Sequence, residues 1–202
     1  MKYLEQPGFH LHLLICPGDF VSEETTIAEF WSARMAEVEA VEALHEHVVI
    51  DAERDIAQDP RFGTRQLADI ALRALSPAVN DPTTGVLCIK YLQAVFERLV
   101  RRQPPPARYR FARGTSSLEI RLPTFQEYLE IFAEIGHYAG GNERVIQALV
   151  TALMRVKELA SLIGEQERHD LLAAMIATVM TQGTTQGMVE TQSAIGAERY
   201  GH

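Results

Sequence analysis

Arg65, Asp69 and Arg73 recur at successive four-residue steps, so on a helix they form one stripe in which the acid can pair with either base. Ser76, Asn80, Asp81, Thr83 and Thr84 follow at once, on a segment stiffened by Pro77 and Pro82. Two chemistries suit these residue types. In the first, Arg65 and Arg73 donate to a small anion, Asp69 holds them, Ser76 and Asn80 orient the ligand, and the helix start at Pro82 to Thr84 offers an amide nest. In the second, the same groups bond one another and lock the corner, with Arg73 reaching loop carbonyls and Asn80 satisfying backbone groups. The internal network is the preferred expectation, since charge-paired corners are commoner than ligand sites, and it makes Arg73→Ala the most destabilising surface substitution. An acid–base enzyme has less to draw on. No second carboxylate or histidine stands at a catalytic spacing, and nothing in the sequence places a base beside Ser76.

The elements that must position this corner can be derived from spacing. Leu67, Ile70, Ala71, Ala74 and Leu75 recur at three and four residues and predict the apolar face of a helix that ends at Leu75 or Ser76, where Pro77 restricts the preceding residue. Asp81 followed by Pro82 is an N-cap with proline at the first helical position. Val86, Ile89, Leu92, Phe96 and Leu99 carry the next helix towards Arg102, and Arg98, Arg101 and Arg102 suit its negative end.

Before this corner the chain alternates. His10 and His12 fall on one side of a predicted strand, a possible metal pair for which the sequence supplies no third ligand, so a polar strand face is the preferred reading and no metal is expected. His45 and His47 would diverge on a helix end. The run Pro17-Gly18-Asp19-Phe20-Val21 with apolar segments after it resembles half of a biotinyl or lipoyl-type barrel. A carrier role is not expected, because no lysine lies between Lys2 and Lys90. Open edges on such a half-barrel would need covering, which predicts a dimer. A helix is predicted from Ser32 to His45 on Met35, Val38, Val41 and Leu44, then a short strand from His47 to Ile50.

After the corner, Tyr109 and Phe111 can face Leu118, Ile120 and Leu122 across an Arg113-Gly114 turn, as a hairpin. Thr124 and Glu127 form a capping box before Tyr128, Leu129, Phe132 and Ile135. Asn142 caps the next helix, which should stop at Gly164, and a last one is predicted from Glu167 to Thr181. Short connections make these helices antiparallel neighbours. The expected fold is α+β and mostly α, a helical bundle with a small N-terminal β element. Residues 1–50 are expected as a β-rich subdomain with one helix, 51–182 as the helical domain, and 183–202 as a loosely ordered tail.

The stretch from Gln58 to Gly85, QDPRFGTRQLADIALRALSPAVNDPTTG, resembles the signature of the predicted membrane proteins numbered 2254 among domains of unknown function. Weaker similarity reaches the upstream PGDFV and the downstream helices. The resemblance implies membrane-spanning helices ahead of a soluble C-terminal region on the cytoplasmic face, and it brings no established activity. Two departures stand out. This chain shows no membrane segment, so membrane attachment is expected only through segments absent from it, and Gly85 stands where the family often has alanine.

Composition narrows the function classes. A chain of 202 residues that is 47% hydrophobic can bury a sizeable core. A formal net charge of −8 argues against nucleic acid as a partner. Cys16 and Cys88, far apart and without metal-type neighbours, predict reduced thiols in a cytoplasmic protein. No apolar run approaches the ~20 residues that span a bilayer, and no signal peptide is visible at Met1. The expected function is therefore a non-enzymatic soluble module without a cofactor, which binds itself or a partner, with a small anion as candidate ligand. The alternative is a hydrolase of a phosphorylated or carboxylated small molecule, working at the corner from Arg65 to Thr84.

Overall fold

The computed structural model describes residues 8–32, 37–57 and 59–199, with the side chains of 37–40, 43, 60 and 185–199 excepted. The described residues form an α+β, mainly helical structure: β1 (Phe9–Leu13), β2 (Ala28–Ser32), α1 (Glu37–His47), α2 (Pro60–Leu75), α3 (Pro82–Leu99), β3 (Arg108–Phe111), β4 (Ser116–Ile120), α4 (Phe125–Tyr138), α5 (Glu143–Leu162) and α6 (Gln166–Arg199). They divide into two compact units, Met1–Phe62 with Pro104–Pro123, and Gly63–Gln103 with Thr124–His202.

In the first unit the strands form a mixed sheet in the order β2-β1-β4-β3. The predicted hairpin is present, with Tyr109 opposite Leu118 and a left-handed turn at Ala112, Arg113 and Gly114. Its strand β4 lies parallel to β1, pairing Leu11 with Leu118, and this joins residues 104–123 to the N-terminal strands rather than to the helices. The N-terminal β element is thus half of a four-stranded sheet and not a free-standing half-barrel. Phe20 and Val21 are not in a strand, and neither are residues 48–50, where Val49 and Ile50 are exposed. Phe9, Leu11, Leu13, Phe30, Leu118 and Ile120 make the apolar face, because paired residues share a side of the sheet. Met35 lies outside the described residues.

The second unit buries a core from α2 through α6. Phe96 of α3 sits edge-on to Phe132 and Phe125 of α4, at ring distances of 4.9 and 6.0 Å. Leu149, Leu153 and Val156 of α5, with Leu172 and Val179 of α6, close the core. The caps are those the sequence predicts. Thr124 and Glu127 make a reciprocal capping box, and Asn142 accepts from the Val145 amide at 3.3 Å. α6 continues past Thr181 to Arg199, whereas residues 183–202 were expected to be loosely ordered; residues 200–202 lie outside the described residues. The threonines that weaken the helical pattern here bond back onto their own helix, Thr178 to the Ala174 carbonyl, Thr181 to Ala177 and Thr184 to Met180, so they lower helix propensity without breaking the ladder.

Candidate functional site

The corner between α2 and α3 is closed by its own backbone. The Asp81 amide donates to the Ala74 carbonyl at 2.8 Å, and the Asn80 amide donates to Ser76 at 2.9 Å. Asn80 takes φ of 45°, in the left-handed region that asparagine tolerates. The Ser76 hydroxyl donates to the Arg73 carbonyl at 2.7 Å. The Asp81 carboxylate accepts from the amides of Thr83 and Thr84 at 3.0 and 3.2 Å and from the Thr84 hydroxyl at 2.5 Å. That hydroxyl, then the amides, hold the Asp81 carboxyl below the usual carboxylate range. The helix start that could have cradled an anion therefore already holds a carboxylate of this chain.

The arginine stripe is only half paired. Arg65 donates to Asp69 from Nε at 2.7 Å and reaches across to Glu134 of α4 at 2.5 and 3.1 Å. Glu134 first, then Asp69, hold the Arg65 proton more tightly than usual. Arg73 is exposed and, among the described residues, its guanidinium meets no acceptor, so the expected pairing with Asp69 and with loop carbonyls is not made. The reason is competition: Arg65 joins Asp69 and a second carboxylate at once, which Arg73 cannot match. Ile70, expected on the apolar face, is 49% exposed; Ala71 is fully buried as expected, and Ala68 is fully buried beside it in place of Ile70. Arg73→Ala is accordingly expected to change stability by less than ~0.5 kcal/mol, measured by urea unfolding.

A second polar cluster, which the sequence reading passed over, lies in the sheet-containing unit. Asp59 is 3% exposed, caps α2 through the Arg61 amide at 3.0 Å, and accepts from Arg54 Nε at 2.9 Å. Arg54 also lies 5.0 Å from the centre of the Phe62 ring. Arg61 donates to Asp19 at 2.9 Å and to the Pro17 carbonyl at 3.1 Å. Arg121, just past β4, donates to the other Asp19 oxygen at 2.9 Å, and the Cys16 amide donates to that same oxygen at 2.8 Å. Gly18 has φ of +85°, and a Cβ there would stand 2.0 Å from the Asp59 carboxylate. PGDF and DPRF are thus two halves of one latch. The Asp59-Pro60 pair carries the same cap-then-proline signal as Asp81-Pro82 and was legible; the partners of Asp19 were not.

Burial alone would raise the Asp19 carboxyl, but the Cys16 amide and the Arg61 and Arg121 guanidiniums outweigh it and hold it below the usual range. A depressed carboxylate stabilises the fold above its unfolded pKa of ~4 and loses that contribution as pH falls through the folded value. Asp19→Asn is therefore expected to cost most at neutral pH, with the gap to the parent chain shrinking below about pH 4. Urea unfolding across pH 2.5 to 7 measures this.

His10 and His12 do share the outer sheet face. His10 Nδ1 lies 2.9 Å from the Ser117 hydroxyl, while His12 stands in register between Glu29 and Glu119. Among the described residues no group of three His, Cys, Asp or Glu side chains is placed to hold a metal ion. Cys16 and Cys88 are buried and form no disulfide; the Cys16 thiol donates to the Arg121 carbonyl at 3.3 Å, and burial pushes the Cys88 thiol up.

Three curated relatives share 41% identity with this chain over 113 residues: the uncharacterized proteins Rv1290c and MT1328 of Mycobacterium tuberculosis and Mb1321c of Mycobacterium bovis. Each match takes in 55% of this chain and 22% of the relative, so the chain spans about a fifth of their length. No solved structure matches. No helix among the described residues is long and apolar enough to cross a membrane. The family model described as predicted membrane protein (DUF2254) matches residues 1–155, and the chain belongs to that family.

Proposed function

We propose that this chain is a non-enzymatic module of a predicted membrane protein family, which lies outside the bilayer on the cytoplasmic side and works by associating with a second copy of itself. The observation that carries the non-enzymatic reading is where the signature stretch spends its polar groups. Asp81 is committed to the start of α3, Ser76 to the Arg73 carbonyl, and Asp69 to Arg65, so among the described residues no carboxylate bonds the serine hydroxyl to serve as its base. Small-anion sensing would have to rest on the exposed Arg73. Two cysteines held as thiols rather than as a disulfide support the reducing side of a membrane. Self-association draws support from the four-stranded sheet, which ends in β2 on one side and β3 on the other. Light scattering of the full chain over a concentration series tests this: a dimer mass is expected, and a monomer mass throughout overturns it.

A further inference from the structure

We propose that β2 is the self-association surface, and that a second copy adds to it antiparallel, edge to edge, paired about Phe30. The inference rests on the self-association reading above and goes beyond it by naming the surface and the register. The Leu14 amide donates to the Ile27 carbonyl at 2.9 Å, which sets the phase of the β1–β2 ladder. Residues 27, 29 and 31 then turn their backbone groups towards β1, and residues 28 and 30 turn theirs to the opposite edge. Among the described residues nothing bonds the outward amides and carbonyls of Ala28 and Phe30.

A two-fold axis at Phe30 makes this edge self-complementary. It pairs Phe30 with Phe30 of the second copy as a hydrogen-bonded pair, in which the outward amide and carbonyl of each meet those of the other, and it sets each Ala28 opposite Ser32 in register. The faces match as well. Phe30 stacks on Phe9 at 6.3 Å on the apolar side, and the pairing extends that side across the junction. On the outer side Glu29 falls opposite Trp31, which is 56% exposed, and never opposite Glu29. The other edge is guarded: β3 alternates Arg108 and Arg110, and it follows Pro104-Pro105-Pro106.

The test uses sedimentation velocity on the full chain. Trp31→Glu sets a carboxylate opposite Glu29 of the second copy, twice per dimer, and is expected to weaken dimerisation roughly tenfold. Adding Glu29→Lys to Trp31→Glu replaces both repulsions by opposite-charge pairs and is expected to restore the dimer. Circular dichroism matching the parent confirms that each variant is folded. A parent dimer that Trp31→Glu leaves intact overturns this surface while self-association stands. A double variant no more dimeric than Trp31→Glu overturns the register, and a monomeric parent removes the self-association reading along with both.

Discussion

Arg168→Ala is expected to destabilise the helical unit by ~2–4 kcal/mol, the largest effect of any single polar side chain there. Arg168 stands in the first turn of α6 and is 13% exposed. It donates to the carbonyls of Leu99 at 3.2 Å, Val100 at 2.6 Å and Arg102 at 2.9 Å, at and just past the end of α3, where helical acceptors run out of i+4 partners. Its guanidinium also lies 5.4 Å from the Phe125 ring centre, a contact worth ~0.5–1 kcal/mol or more when desolvated. One side chain thus joins the ends of three helices. Arg168→Lys is expected to recover only part of the loss, since a single ammonium cannot fork across three carbonyls. Arg168→Met, which keeps the aliphatic stem, should fall near alanine if the bonds rather than the packing carry the effect. Helical circular dichroism during urea unfolding is the measurement, and a midpoint unmoved by alanine would contradict the assignment.

Asp59→Ala is expected to cost ~2–4 kcal/mol in the sheet-containing unit, because it strips Arg54 and Arg61 of a shared buried carboxylate and removes the cap of α2. Removing a buried carboxylate costs more than the pair's net contribution where the charge left behind stays largely desolvated, which applies to Arg61, 20% exposed, more than to Arg54, 37% exposed. Asp59→Asn keeps one acceptor and should fall between parent and alanine. Gly18→Ala attacks the same latch from the other side, by backbone strain and by collision with the Asp59 carboxylate. Trp31 is the only tryptophan and belongs to this unit, so its fluorescence reports the transition.

The parts of the fold legible in the sequence are those whose cause is local. Asp81-Pro82, the Thr124–Glu127 box, Asn142 and the turn at Arg113-Gly114 each act within a few residues, and each is found where it was read. Partners distant in the chain were not legible. Nothing in one sequence ties Arg65 to Glu134, Arg168 to the end of α3, or Asp19 to Arg61 and Arg121. The same holds for the parallel pairing of β1 with β4, which drew the hairpin to the other unit. Ile70 was misplaced for another reason. From Leu67 to Leu75 apolar residues are so dense that periodicity fits more than one inner face, and close packing chose the small Ala68 over Ile70. That choice, with the loss of Asp69 to Arg65, turned Arg73 outward.

The central claim is that the signature stretch spends its polar chemistry on holding the chain together. Melting of the parent and of Arg73→Ala, compared in phosphate, sulfate and small carboxylates against sodium chloride of equal ionic strength, tests it most directly. The account predicts that both melt at the same temperature in every salt apart from the general effect of each on folded proteins. A saturable rise in the parent that Arg73→Ala abolishes would contradict it and make the corner a binding site.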